Sequence, residues 1–320
     1  MVILPAAMTV FTDSITYADS AFGMPVGHWQ VPDSVVPAEV RPLLEAIYGR
    51  RTIRESKLGP APRWNHVFLT ESAALSHYDL LIDLSRREVD LPDRILCLAG
   101  SGERFHGFKG RAWSAPSGNI YMAVYLAPGR PVEHAGTSFT VLAAVSVLDA
   151  IDGVPGLRDA AAVKWVNDIL IGEAKVAGVL AYTQSEGDVI TDVVLGIGLN
   201  VETTPSVEPT PFVPRVGALK GLAPEPELCS LPLVFERLTD AVSSNYEKVL
   251  SGGYLSLVDR YRERSVVIGR EVTLCSEHSG SRGDIQATGR VQSLGDDLEL
   301  VLDGYERPFT NGRLILEANR

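Results

Sequence analysis

Cysteine is scarce in this 320-residue chain: Cys97, Cys229 and Cys275 are the only three, and no C-x-x-C spacing occurs. A sparse, odd set excludes a disulfide framework and fits reduced thiols, read simply as three small core residues. Long apolar runs are missing as well, since none reaches the ~18 residues a membrane-spanning helix needs. The N-terminal Met1-Val2-Ile3-Leu4-Pro5 has no basic flank and soon meets Asp13, which argues against a secretion signal. The expectation is therefore a cytoplasmic chain with no membrane partner. Basic residues are outnumbered, 29 against 40 acidic, for a formal net charge of −11. That balance excludes broad electrostatic binding to nucleic-acid phosphates. Otherwise the chain, 45% hydrophobic and 22% charged, has the composition of an ordinary globular protein. Its length suits two domains, or one large domain with a small module.

Residues 1–62 form a leader rich in Pro and Gly (Pro25, Gly27, Pro32, Pro37, Pro42, Gly59, Pro60, Pro62), with one expected helix around Val40–Tyr48 and a basic turn at Arg50-Arg51. No pair of amphipathic helices with a tight turn between them is visible there, so a DNA-binding helix-turn-helix is not expected. From His66 the pattern turns α/β. Val67–Leu69, Ile95–Ala99, Ile120–Leu126 and Val189–Leu199 read as strands. Ala73–Arg87, Thr137–Ile151, Leu231–Leu250 and Tyr254–Arg264 read as helices. Gly100 to Gly118 and the Pro-rich Thr203–Pro226 read as loops. Beyond Ile268 the short strands Glu271–Cys275, Asp284–Val291, Leu298–Leu302 and Arg313–Leu316 make a small β-barrel pattern, too small to be very stable alone. The predicted division is an N-terminal extension (1–62), an α/β (α+β) domain with a mixed sheet flanked by helices (63–265), and a small C-terminal β module (266–320).

The most informative stretch is Lys164-Trp165-Val166-Asn167-Asp168-Ile169-Leu170-Ile171, followed by Ala174-Lys175-Val176-Ala177-Gly178-Val179-Leu180. It reads as two apolar strands joined at Ile171-Gly172-Glu173, a β-hairpin. Charge inserted into apolar strands is costly unless it meets a partner or a ligand. Two ammonium groups around a carboxylate suit a site where anionic groups meet. They also suit a solvated hairpin edge with a surface ion pair.

Three segments, in order, carry a resemblance. Gly110-Arg111-Ala112-Trp113-Ser114-Ala115-Pro116-Ser117-Gly118-Asn119-Ile120-Tyr121 resembles the G-R-x-W-x-S-P-x-G-N-L-Y segment of biotin protein ligases. The Lys164 hairpin resembles that family's K-W-P-N-D-L-x(n)-K-L-A-G-I-L segment. Val194-Leu195-Gly196-Ile197-Gly198-Leu199-Asn200-Val201 resembles its G-I-G-I-N-V strand. The resemblance covers about Trp64 to the C-terminus. It implies a biotin/lipoate ligase-like catalytic domain with an SH3-like C-terminal β-barrel. It also implies ATP-dependent conversion of biotin to biotinyl-adenylate, with Mg2+, and transfer to a lysine of a biotin carboxyl carrier protein. No DNA partner is implied, and a homodimer stays open. The other readings are a non-catalytic biotin- or nucleotide-binding homologue, and a ligase of the same fold for another acyl acid such as lipoate or octanoate.

By the same resemblance, Lys175 contacts the biotin carboxyl and the phosphate. Asp168 orients that lysine or holds Mg2+. Asn167 anchors nucleotide or metal, and Lys164 sits near the phosphates or is merely paired with Asp168. Trp113 stacks on adenine or belongs to the core. Gly118 and Asn119 form a tight turn toward the ligand, and Asn200 binds ribose or metal or caps its strand. Ser72, in Thr70-Glu71-Ser72-Ala73, matches a D-S-T-N segment that donates to the ureido oxygen, with its final Asn replaced by Ala73; these residues also make a plain helix N-cap. The largest departure is in the loop Ala99–Arg111, where the family has Gly-Arg-Gly-Arg-x-Gly-Arg. Phe108 and His106 stand for two of its arginines, and Arg104, Lys109 and Arg111, with Gly110, keep the loop cationic and mobile. Arginine and lysine are not equivalent on phosphate, so weaker adenylate retention is expected. His106 reads as a loop residue rather than a base.

Overall fold

The computed structural model describes residues 8–32, 36–59, 63–276 and 284–317; Met1–Pro5 and the leader's Pro60 and Pro62 lie outside the described residues. In chain order the elements are β1 (Met8–Thr12), α1 (Ile15–Phe22), α2 (Arg41–Tyr48), β2 (Arg54–Leu58), β3 (His66–Thr70), α3 (His77–Arg86), β4 (Ile95–Ala99) and β5 (Ile120–Leu126). Then come α4 (Ser138–Asp152), β6 (Ala161–Lys164), β7 (Asp168–Ile171), β8 (Ala174–Glu186), β9 (Val189–Leu199), β10 (Arg215–Val216), α5 (Leu219–Leu222), α6 (Leu231–Leu250) and α7 (Tyr254–Glu263). The last strands are β11 (Glu271–Cys275), β12 (Ile285–Leu294), β13 (Leu300–Leu302) and β14 (Arg313–Leu316).

The large sheet runs in the order β2-β1-β3-β4-β5-β9-β8-β7-β6, with β10 added to β8. β1, β3 and β4 pair in parallel, and every join from β4 to β6 is antiparallel. The mixed sheet flanked by helices is as expected. One face is covered by α4, apolar on nearly every side, which packs with α6 and α7. On the other face, α2 and α3 bury Phe11, Phe68, Cys97 and Tyr125, and they leave its β8–β6 end open. All three cysteines are buried thiols. β11–β14 form a separate four-stranded antiparallel sheet. Trp165 Nε1 donates to the Leu298 carbonyl and Tyr254 to that of Asp296, which tie this sheet to the larger one. Among the described residues, no helix is long and apolar enough to cross a membrane.

Three expectations change. The leader contributes more than one helix: β1 and β2 extend the sheet and α1 packs on β3 and α6, which went unseen because its short strands alternate too briefly to stand out among prolines. α3 starts at His77 rather than Ala73. Ala73 instead bridges to Gly102, its amide donating to the Ser101 carbonyl and its carbonyl accepting from Glu103, so those backbone groups are unavailable to a helix. The Lys164 stretch is not one strand. β6 ends at Lys164, the chain turns through residues 165–167, and β7 returns with Asp168 opposite Lys164. The Asn167 amide group fastens this turn to the Val179 carbonyl.

Arg264, with 9% of its side chain exposed, bridges Asp152 at the end of α4 to Asp159 and to the Ala161 carbonyl of β6. Arg264→Ala would leave Asp152 with Arg260 as its remaining partner and the Ala161 carbonyl without its donor. It is expected to lower unfolding free energy by about 1–3 kcal/mol, measured by urea denaturation; a loss near zero would show that the network is ornamental.

Candidate active site

Register decides what faces the open end of the sheet. Tyr121, Gly198, Gly178, Asp168 and Lys164 are consecutive cross-strand partners on β5, β9, β8, β7 and β6. They form one row, and Ala123, Gly196 and Leu180 form the next row on the same face. The glycines leave bare backbone on which aromatic rings lie. A Cβ on Gly198 would stand 2.6 Å from the Trp113 ring, one on Gly178 3.1 Å from it, and one on Gly196 2.9 Å from Tyr78. A cleft of about 320 Å³ opens above this floor. Three strand spacings, about 14 Å, separate the Tyr121 and Asp168 ends of the row.

Strict alternation from Gly178 would turn Lys175 to the opposite face. A bulge prevents this: Ile169 pairs with Ala177 but Leu170 with Lys175, so Val176 is the extra residue. Val176 and Ala177 both enter the core, and Lys175 is re-aimed into the cleft. There its Nζ lies 2.5 Å from Asp168 Oδ1 and 5.3 Å over the Trp113 ring. Lys164 is 5% exposed and donates to the Phe212 carbonyl. Burial, with Lys175, Arg313 and Arg111 near it, lowers its pKa to about 8 against the pull of Asp168. Arg111 reaches the same cleft, with Nη1 buried and unpartnered and its guanidinium 5.8 Å from the Phe108 ring centre. Four cations thus surround one carboxylate.

The cleft gathers Arg111, Trp113, Lys164, Asn167, Asp168, Lys175 and Asn200 from the expected site. Asn200 divides its amide, donating through Nδ2 to the Gly217 carbonyl while Oδ1 is buried without a partner. The other expected residues are elsewhere. Ser72 is exposed and lines a separate hollow with Asp13 and Arg51. Arg104 turns away to the Ala74 carbonyl. Lys109 and Gly110, both at positive φ, form the exposed tip of the loop. Gly118 packs on Thr203. Asn119, fully buried, accepts from the Val201 and Thr203 amides and donates to the Thr203 carbonyl. It locks the end of β9 in place rather than lining the cleft.

Arg313 was not legible as a site residue. It comes from β14, and its guanidinium stacks 3.5 Å from the Phe212 ring centre at the cleft wall; nothing local in the sequence of that strand signals this. His77 and Tyr78 were hidden inside an expected helix. Among the described residues no three His, Cys, Asp or Glu side chains converge on a metal position. One carboxylate, Asp168, with the orphaned Asn200 Oδ1, suits a magnesium that arrives on a polyphosphate and keeps phosphate and water ligands.

The Biotin/lipoate A/B protein ligase family matches residues 93–200, which span most of the cleft. A biotin--[acetyl-CoA-carboxylase] ligase of Paracoccus denitrificans is 37% identical over 204 residues, 62% of this chain and 79% of that protein. The bifunctional ligase/repressor BirA of Bacillus subtilis is 32% identical over 138 residues, 41% of this chain and 42% of that protein, so the chain spans less than half of that relative's length. The solved structure of the biotin protein ligase from Aquifex aeolicus in complex with biotin and ATP has the same fold, with a TM-score of 0.60 over 79% of this chain and 99% of that one at 19% identity.

His106 closes the loop on α3. Its Nε2 lies 2.8 Å from Asp79 and its Nδ1 3.0 Å from the Gly107 carbonyl. Both partners are acceptors, so only the protonated ring can donate to both, while a neutral ring satisfies one of them. Partial burial opposes the charged ring, but the Gly107 carbonyl and Asp79 outweigh it and raise its pKa. A raised pKa means that the clasp is complete below about pH 6.5 and is lost as pH rises through the folded value. Hydrogen exchange of loop amides 101–112 is expected to quicken as pH rises, after correction for intrinsic rates. Asp79→Asn should remove that dependence; an unchanged pH profile in this variant would refute the clasp.

Proposed function

The chain belongs to the biotin protein ligase family, and from that premise we propose that it activates biotin with ATP and passes the acyl group to a lysine of a biotin carboxyl carrier protein. The observation that carries the reading is the convergence of Lys175, Arg111, Lys164 and Arg313 around Asp168 at one end of a glycine-floored cleft. Bringing a carboxylate against a triphosphate sets anion against anion. Fixed cations relieve that repulsion and stabilise the charge that builds on phosphoryl oxygens in the transition state.

In the first step a biotin carboxylate oxygen attacks the α-phosphorus, an acyl–phosphate bond forms, and the bond to pyrophosphate breaks with its electron pair on the leaving group. In the second, the carrier's lysine amine attacks the acyl carbon, an amide forms and AMP departs. Lys175 is suited to hold the carboxylate against the α-phosphate, and Asp168 keeps its ammonium pointed into the cleft. Trp113 offers a flat wall over the floor. Arg111 and Arg313 both line the cationic end of the cleft, which supplies guanidinium where Phe108 occupies an arginine position of the family. Magnesium bound with ATP would neutralise further charge, held by Asp168 with Asn200. No covalent enzyme nucleophile is needed, because positioning the two reactants supplies much of the rate. A net charge of −11 speaks against DNA as a second partner.

Pyrophosphate release from ATP and magnesium on adding biotin, without carrier protein, tests the reading. Wild type is expected to give a single-turnover burst with biotin and none with lipoate. Lys175→Ala should lower the rate by about 10²–10³-fold, the usual cost of one transition-state donor, with its melting temperature little changed. Biotin binding without any burst would leave a binding protein rather than a ligase, and a burst with lipoate alone would replace the substrate.

A further inference from the structure

The cationic end of the cleft accounts for a carboxylate and a polyphosphate, but its other end holds an unexplained group. His77, the first residue of α3, is 3% exposed and lines the cleft, and neither ring nitrogen has a hydrogen-bond partner. Burying two polar atoms unpaired is unfavourable and calls for a ligand or water that completes them. Burial, reinforced by the Arg51 charge, lowers the pKa of the ring to about 4. It is therefore neutral near pH 7, with one N–H to donate and one lone pair. Two neighbouring polar groups are already engaged. Both His106 nitrogens are bonded, and the Tyr121 hydroxyl donates to the Pro116 carbonyl while accepting from Asn119. Ser72, the expected ureido donor, faces the separate hollow beside Asp13.

We propose that His77 is a specificity-determining residue that donates a ring N–H to the uncharged ureido oxygen of the bound acid. The inference rests on the ligase reading and adds the residue that recognises the head group. A neutral imidazole has no attraction for the carboxylate, which belongs with Lys175. Charge at β7–β8 and an uncharged donor at α3 therefore fix which way round the acid lies. A dithiolane head, with nothing to accept the N–H, would leave His77 unpaired, which favours biotin over lipoate in this cleft.

Steady-state pyrophosphate release on the full chain separates the outcomes, with hydroxylamine as the acceptor that discharges the adenylate and with biotin and 2-iminobiotin as alternative acids. His77→Phe is expected to raise KM for biotin about 10- to 100-fold, the effect of one lost hydrogen bond whose partner stays buried. kcat and KM for ATP should change less than twofold, and His77→Gln, which keeps a donor, should recover most of the loss. Wild type should reject 2-iminobiotin, whose ureido oxygen is replaced by a donor, and His77→Phe should discriminate less. A His77→Phe protein with wild-type KM for biotin and wild-type discrimination overturns the role of His77 and leaves the ligase reading intact. Absence of any biotin-dependent release by wild type overturns both. Should the variants fold poorly, the 15N ring resonances of His77 in the wild-type chain decide: they should shift on adding biotin and stay put on adding AMP, and unmoved resonances with biotin bound overturn the proposal.

Discussion

A sheet with helices on both faces has no room for a ligand unless side chains are left out of one face. Here Gly178, Gly196 and Gly198 leave them out. With no Cβ on that face, Trp113 and Tyr78 lie on backbone, and space remains between them and the loop above. Every other part of the site depends on this floor. The row that begins at Tyr121 continues across the two glycines to Asp168 and Lys164, so the depth of the cleft and the position of its charges have one origin. Any side chain at Gly198 would lift the indole and with it the wall that Lys175 leans on.

Charge at the far end is arranged at some cost. Four cations around one carboxylate repel one another, and burial adds to the strain on Lys164, whose pKa drops to about 8. Arg313 is pushed the same way, first by burial and then by Arg111. Such a cluster is tolerable in a folded protein when an anion completes it. Its parts come from far-apart places in the chain: the loop before β5, strands β6 to β8, and the small C-terminal sheet. Trp165 and Tyr254 dock that sheet through the carbonyls of Leu298 and Asp296, so its contribution to the cleft is built into the fold.

The strands at 95–99, 120–126 and 189–199 and the helix at 231–250 were legible because each is a long, clean apolar pattern. The start of the expected helix at 73–87, which begins at His77, and the break within the expected strand at 164–171 were not. In both cases the local pattern fitted, and a tertiary bond decided otherwise, the Ala73–Gly102 bridge in one and the Asn167–Val179 turn in the other. Lys175 and Asp168 were visible as charges out of place in apolar strands. That Lys175 faces the cleft depends on a bulge that alternation cannot reveal. Asn119 shows the reverse case: its motif pointed to a ligand, and its bonds run to Val201 and Thr203. His77 and Arg313 carried no signal, since nothing local distinguishes a buried orphan or a distant strand from its neighbours.

The two ends of the cleft differ in kind, and that difference gives the site a direction. At β7–β8 the groups are charged and partly desolvated, so they favour anions and discriminate little among them. At α3 the one unpaired group is neutral and can be satisfied only by a hydrogen bond of the right sense. An acid entering backwards would place its carboxylate beside an uncharged ring and leave the cations unmatched, losing on both counts. Correct entry satisfies both at once. The loop is clasped by His106 to Asp79 on α3, and the aromatic side chains of Trp113, Tyr78 and Phe105 line the cleft. Electrostatics therefore sets which end of the ligand reacts, and the neutral donor at α3 helps to set which ligand it is.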